Sequence, residues 1–513
     1  MAERSEGPPT RSSFGSNPLG RSFDSTGAAR LRRSGRGVVA IALLVPSALS
    51  AQISTAEYTA RREALAAKVD SGVVIAFGGR TLVTDFSRFF QLPSFHYLTG
   101  YDEPDAALVM VVRGGHATTT LFVTKLTART AFYYGQRADT ATLSKTMGVQ
   151  ARSTSALASV VDSLTATQLP FYSLADFEDE DFAFADSLTR GQQFFKALVA
   201  QHAGLVVRNA HPIVNQLRAA KSPTEITMLR KAVEISSAGH RAVLMMPQPR
   251  HEYEIQSVLE STFLTLGGER PSYGSIVGSG SNGTLLHYML DRGPAKAGDL
   301  VVIDAATQFE GYAADITRTI PVSGRFTAPQ RQLYQLVLDA QTAVERNAKA
   351  GMSRAASVDS SVAIRAAGLA RFGLIESVDA TYDPPDVPAG RGGANAAGAK
   401  QANFWMIHGI SHGLGLAVHD YVAAGPNYAV GDAFTIEPGI YISSKMLDVL
   451  PDTPKNRAFI AAVKAAVAKY AMTGVRIEDD YIVTDKGLER ISSAPRQIRE
   501  IEAIMAKRSP RKP

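Results

Sequence analysis

The chain has 513 residues, 45% of them apolar and 20% charged, with no cysteine and one tryptophan. That length suits about two to four domains, each able to bury a core, and the composition excludes collagen, coiled coil and wholesale disorder. Without cysteine there is no disulfide framework, thiolate metal site or cysteine nucleophile. The net charge of +6 resides mostly in residues 1–37, where seven Arg face three acids, so no basic stripe is left to mark a nucleic-acid binder.

In chain order, residues 1–51 read as a leader. Arg30, Arg32, Arg33 and Arg36 precede the apolar run Val38 to Val45, Pro46 ends that run, and Ala48-Leu49-Ser50-Ala51 offers small residues for cleavage. The expectation is a secretory signal, a mature start near Gln52 and an exported protein, periplasmic or secreted. The run is too short for a membrane span, which needs about 18–20 apolar residues. Residues 52–216 alternate strands and helices, with strands at 72–77, 106–112 and 118–123, and predict an α/β domain. The acidic, Phe-containing stretch 173–186 reads as a surface connection.

Ser222, Pro223 and Glu225 then form a capping box, and Ile226, Leu229, Val233, Ser236 and His240 continue one helical face toward Met246. A domain boundary is expected just before, giving a second domain over 217–505 and a basic tail over 506–513. A long helix is predicted from Arg331 to Ala350 and another from Asn456 to Tyr470. Between them, 383–401 is a Gly/Ala/Pro-rich loop with too little apolar content to pack.

The chemistry gathers in this second part. Asp304 ends an apolar strand and Asp315 starts another, and a hairpin centred between Phe309 and Glu310 would set the two carboxylates directly opposite. Carboxylates that close repel unless a proton or cation lies between them. His408, His412 and His419 fall within twelve residues, separated by glycines that disfavour a helix, and a strand-like path would aim them into one cleft. Glu437 precedes Pro438, which biases it toward extended backbone. Residues 475–484 read as one strand with Arg476, Glu478 and Asp480 on a common face. Acids in apolar strands are uncommon unless paired or ligating. Four carboxylates and an imidazole therefore suggest a site for two divalent cations, with Mn²⁺ the best match to mostly oxygen donors and Zn²⁺ or Co²⁺ as alternatives.

In order and spacing, Asp304…Asp315-Ile-Thr-Arg-Thr, His408-Gly-Ile-Ser-His412, His419-Asp420, Ile-Glu437-Pro-Gly and Arg476-Ile-Glu478-Asp-Asp closely resemble the pita-bread metallopeptidases, and within them aminopeptidase P. Phe95-His96-Tyr97-Leu98-Thr99-Gly100 through Ala106 resembles that family's N-terminal domain signature. The resemblance implies an α/β N-terminal domain followed by an α+β pita-bread catalytic domain. It implies metal ligands Asp304, Asp315, His412, Glu437 and Glu478, with Asp315 and Glu478 bridging two ions and Glu437 also acting as general base. It places His287, His408, His419 and Arg476 at the substrate, with Tyr441 a weaker candidate. The implied substrates are peptides with proline second, cleaved at the Xaa-Pro bond by hydroxide generated between the cations, and relatives are often dimers or tetramers.

Some features depart from the family. Ala306 stands where Gly is usual, and Gly413 follows His412 where many relatives carry an aromatic, which predicts a wider pocket. Glu437 and Glu478 are 41 positions apart, with a helical insertion between them. Three rival readings remain: an Xaa-Pro dipeptidase with the same ligands, a non-catalytic peptide-binding module, and a dinucleotide site at Gly278-Ser279-Gly280-Ser281-Asn282-Gly283. The last leaves too few residues before Gly293-Pro294 for a crossover helix.

Overall fold

The strand Gly72–Phe77 is an unbroken apolar run because both of its faces are covered. Val74 and Ala76 pack with Leu65, Ala66 and Val69 of helix Thr55–Val69. Val73, Ile75 and Phe77 pack with Leu157, Val161, Phe195 and Leu198 of the helices on the opposite side. The side-chain period of two in a strand sorts them this way. In the computed structural model, which describes residues 52–81, 88–174, 189–385 and 399–510, this strand lies inside a six-stranded mixed sheet. Gly72–Phe77, Ala107–Arg113 and His116–Val123 are its antiparallel centre, and the short strands Gln150–Ser153, Phe171–Ser173 and Val207–Asn209 add in parallel outside them. The leader, most of the acidic connection and most of the Gly/Ala loop lie outside the described residues.

The second part opens on helix Pro223–Met245, whose Ser222/Glu225 capping box forms as its sequence predicts. With Glu252–Thr265, Ala328–Asn347, Arg354–Arg371 and Pro454–Tyr470, it backs a set of short antiparallel ladders. The predicted 331–350 helix starts earlier, at the Thr327 cap, and ends at Asn347. Leu300–Asp304 pairs with Ile276–Ser279 and Thr317–Pro321; Ala433–Ile436 pairs with Asp479–Thr484; Gly439–Ile442 pairs with Thr473–Arg476. The Gly278–Gly283 motif leads into a single 3₁₀ turn, Gly280–Thr284, and not into a crossover helix. No helix among the described residues is long and apolar enough to cross a membrane.

The two parts share a core. Leu98, Leu108 and Leu121 of the first pack in one cluster with Met228, Leu229, Tyr312, Leu414, Leu416 and Ile482 of the second. Residues 51–513 accordingly form one compact unit. At the C-terminal end, Arg508 is not a free tail residue: its guanidinium donates to the carbonyls of Leu244 (3.1 Å) and Val322 (3.2 Å).

Two expectations about strands need correction. The hairpin is centred one residue later than expected, because Glu310 (φ +49°) and Gly311 (φ +81°) both take the left-handed conformation of a two-residue turn. Asp304 therefore faces Thr317, and the same register sets Asp315 against Ala306. The two aspartates are diagonal neighbours on one face, not direct partners. The 475–484 stretch is two strands, Thr473–Arg476 and Asp479–Thr484, interrupted at Ile477-Glu478.

Candidate metal centre and substrate cleft

Glu437 and Glu478 sit where a ladder is interrupted. Glu437-Pro438 separates two strands that pair with the two on either side of Ile477-Glu478 in one continuous register, so Glu437 and Glu478 face each other across the gap. Pro438 has no N–H for the ladder, and the two glutamate amides turn elsewhere, Glu437 N–H to Ile410 O (2.8 Å) and Glu478 N–H to Thr317 O (3.1 Å), while a long Ile477 N–H to Pro438 O bond (3.5 Å) spans the gap. The histidine cluster is a loop, not a strand, although one stretch of it lies alongside Ala433–Ile436. There the Leu414 N–H donates to Ala433 O and the Thr435 N–H to His412 O, each at 2.9 Å, which aims His412 into the gap.

His412 Nε2 lies 3.4 Å from Asp315 Oδ2, 3.5 Å from Glu437 Oε1 and 3.7 Å from Glu478 Oε1. Donors each about 2.1 Å from a shared cation in tetrahedral array lie about 3.5 Å apart, so this spacing is that of ligands around one ion. Asp315, His412 and Glu478 each turn a donor atom toward a common point, all within 4.8 Å of one another. Asp304 completes the group, with Oδ1 accepting from Tyr273 and Oδ2 from Arg476 Nη2, both at 2.5 Å. A cavity of about 340 Å³ opens onto the cluster and is lined by Asp304, Asp315, His412, Glu437, Glu478, His287, His408, His419 and Arg476 together with Leu286, Gly409 and Ser411. Tyr441 is fully buried behind it, accepting from Arg476 Nη1 (2.6 Å) and donating to His408 Nε2 (2.8 Å).

The electrostatics fit a cation site. Burial drives the Asp315 and Glu437 carboxyls well above their ordinary range, and Glu478 adds to both. Burial opposes charge on His412 as well, but Asp315, Glu478 and Glu437 outweigh it and hold the imidazole well above its usual value. Burial would raise Asp304 too; the Arg476 guanidinium reverses the sign. Glu478 Oε1 is buried without a hydrogen-bond partner. Such an atom costs about 1–3 kcal/mol, and repelling acids with an unpaired oxygen are what divalent ions relieve. The five donors, four carboxylates and one imidazole, fit a pair of hard-to-borderline divalent ions.

His408 is held neutral. Burial and then Arg476 push it down to about 3, and it faces Gly409 O at 2.5 Å through Nδ1. With Tyr441 donating to Nε2, the network assigns the proton to Nδ1. His419 packs edge-on against His412, ring centres 4.3 Å apart. Gly413, where the sequence predicts a wider pocket, is not among the residues lining the cavity. A Cβ there would meet Asp420 O at 2.3 Å, so the glycine serves the close crossing of residues 413 and 420 and not the cleft.

Sequence reasoning missed Tyr273, whose hydroxyl lies 2.5 Å from both Asp304 Oδ1 and Asp315 Oδ1 and gives its single proton to one or the other. It missed Thr317, whose hydroxyl donates to Glu478 Oε2 at 2.7 Å. It also missed the buried Asp479, paired with Arg318 at 2.6 Å and accepting from Gln341 at 3.0 Å just behind Glu478. Thr317 follows Asp315 by two on one strand face and was within reach of the period-two argument. Tyr273 carries no local signal.

Comparison with known proteins gives the family. The model for metallopeptidase family M24 matches residues 227–485, and the model for the aminopeptidase P N-terminal domain matches residues 58–171. The chain is 30% identical over 474 residues to the Xaa-Pro aminopeptidase of Escherichia coli strain K12, covering 88% of this chain and 98% of that one. It is 31% identical over 426 residues to the Xaa-Pro aminopeptidase of Haemophilus influenzae, covering 81% and 88%. Among solved structures, zinc-substituted E. coli aminopeptidase P in complex with product superimposes with a TM-score of 0.71 at 28% identity, covering 89% of this chain and all of that one. Proline aminopeptidase P II from Yersinia pestis gives 0.72 at 28%, covering 88% and 100%. The chain belongs to metallopeptidase family M24, and to the aminopeptidase P branch in which an N-terminal α/β domain precedes the pita-bread domain.

Proposed function

We propose that this protein is a metal-dependent aminopeptidase that hydrolyses the bond between the first residue of a peptide and a following proline. The observation that carries the reading is the convergence of Asp315, Glu437 and Glu478 on His412 Nε2, at 3.4, 3.5 and 3.7 Å, in a cavity that Asp304 also lines. Bound divalent ions supply the Lewis acidity that makes water nucleophilic at neutral pH and polarises the scissile carbonyl. Mn²⁺ is our assignment, on the predominance of oxygen donors.

Glu437 is the general base: its carboxylate lines the cavity 3.5 Å from His412, placed to take a proton from the attacking water and return it to the leaving nitrogen. That return is necessary because proline leaves as a secondary amine. His287 and His419 line the cavity and hold the peptide. His408 has both nitrogens engaged, so it assists the developing oxyanion by exchanging one of those partners for substrate. Arg476 keeps Asp304 ionised and, through Tyr441, fixes the His408 ring. The Arg-rich stretch before Val38–Val45 supports export, with residues 1–51 as leader, 52–216 as the N-terminal domain and 217–505 as the catalytic domain; N-terminal sequencing of exported protein should begin near Gln52.

The test is hydrolysis of Xaa-Pro-Xaa tripeptides and Xaa-Pro dipeptides by enzyme stripped with chelator and reloaded with Mn²⁺, Zn²⁺ or Co²⁺. Tripeptide turnover that vanishes on stripping and returns on reloading is expected. Turnover of dipeptides alone would make the protein a prolidase, and none from metal-loaded enzyme would leave a peptide-binding module.

A further inference from the structure

Glu252 opens helix Glu252–Thr265 and is fully buried, yet no step above uses it. Its carboxylate accepts four hydrogen bonds. Oε1 takes the Ser279 N–H (2.7 Å) and Asn282 Nδ2 (2.8 Å); Oε2 takes the Tyr288 hydroxyl (3.0 Å) and the Gly293 N–H (2.5 Å). The Glu252 N–H also donates to Gly293 O at 3.0 Å, and His251 bridges to Pro294. All these partners belong to one segment. It leaves strand Ile276–Ser279, makes the turn Gly280–Thr284, and runs without regular structure to 293.

That segment carries Leu286 and His287 to the wall of the cleft. Its own packing is poor, since Leu285, Met289 and Leu290 are exposed. A loop with little buried apolar area is set by its hydrogen bonds; besides the Val277 N–H bond to Asp291 Oδ1 (2.9 Å), four of them converge on the one Glu252 carboxylate, which joins the start of the segment, its end and the residue beside His287. We propose that Glu252 is a positioning residue for the substrate site, acting through Tyr288 to hold His287 in register; this rests on the reading that His287 contacts the peptide.

The experiment is a double-mutant cycle on Mn²⁺-loaded enzyme, reading kcat and KM for an Xaa-Pro-Xaa tripeptide, metal content and Tm. Tyr288→Phe removes the tie next to His287 and leaves the buried backbone partners in place. It should lower kcat/KM about 5- to 10-fold, the equivalent of one hydrogen bond, mainly through KM, with metal content and Tm unchanged. In a His287→Ala background the same substitution should change kcat/KM by less than about 2-fold. Glu252→Gln, if it folds, should show at least the effect of Tyr288→Phe. Additive effects in the cycle, or wild-type kinetics for Tyr288→Phe, would overturn the positioning role while leaving the site reading intact. Wild-type kinetics for His287→Ala would remove His287 from the substrate site and the proposal with it.

Discussion

Asp315 and Glu478 each present a buried oxygen to His412. Asp315→Ala or Glu478→Ala should therefore cut bound metal to below one ion per chain, measured by elemental analysis, and lower kcat by at least about 10³-fold; near-native turnover in either would refute the assignment. Glu437→Gln should keep more metal than these but lose the base, so kcat should fall about 10²- to 10⁴-fold at every pH tested. Away from the centre, Asp291 is buried with one carboxylate oxygen unpartnered, and burial, with Glu252 and Glu260 nearby, pushes it up to about 6. The folded state thus holds a proton that the unfolded chain releases near 3.8. Its contribution to stability is complete below about pH 4 and is lost as pH rises through 6. Asp291→Asn, which tolerates the φ of +48° at this position, should gain about 1–3 kcal/mol at pH 7.5 and nothing at pH 4. Urea unfolding at the two pH values decides it.

Glu437 and Glu478 are placed by an interrupted ladder, because an unbroken strand would turn alternate residues away and spend every amide on its neighbour. At Glu437-Pro438 and Ile477-Glu478 the register continues while the glutamate amides bond elsewhere, and the two glutamates meet across the gap. The helix Pro223–Met245 shows the opposite case, an element legible in full. Its capping box is local, and Ser222 Oγ also donates to Glu57 at 2.7 Å, tying the helix to helix Thr55–Val69. Ser222→Ala should destabilise the protein by about 1–2 kcal/mol without changing KM, as thermal unfolding and tripeptide kinetics would show together. The hairpin register was not legible in this way. Its one-residue offset depends on Glu310 adopting a left-handed conformation, which few non-glycine residues do.

Across the molecule, the join between the two parts is built on charge as well as on a shared apolar core. Arg218 is almost fully buried, donates to Ser94 Oγ at 2.8 Å in the first part, and pairs at 3.0 Å with Asp420, the residue after His419. Lys221 lies farther off, 3.9 Å from the other Asp420 oxygen. Arg218→Met leaves Asp420 buried with its better partner gone, so unfolding free energy should drop by about 3 kcal/mol. Because Asp420 adjoins His419, kcat/KM should fall while metal content stays at wild-type levels; an unchanged denaturation midpoint would show the pair to be dispensable.

Read alone, the sequence determined the architecture and the identity of the donors: apolar runs, caps and ordered motifs at Asp304, Asp315, His408–His419, Glu437 and Glu478 are local patterns that survive without coordinates. Tertiary structure decided what depends on register and on approach from elsewhere in the chain. It made Asp304 and Asp315 diagonal neighbours beneath Tyr273 and closed the space at Gly413 with the backbone of Asp420. It also hung the His287 segment on Glu252. Side-chain identity fixes which chemistry is possible, but angstrom-scale placement comes from contacts between residues far apart in the chain, and no local pattern encodes them.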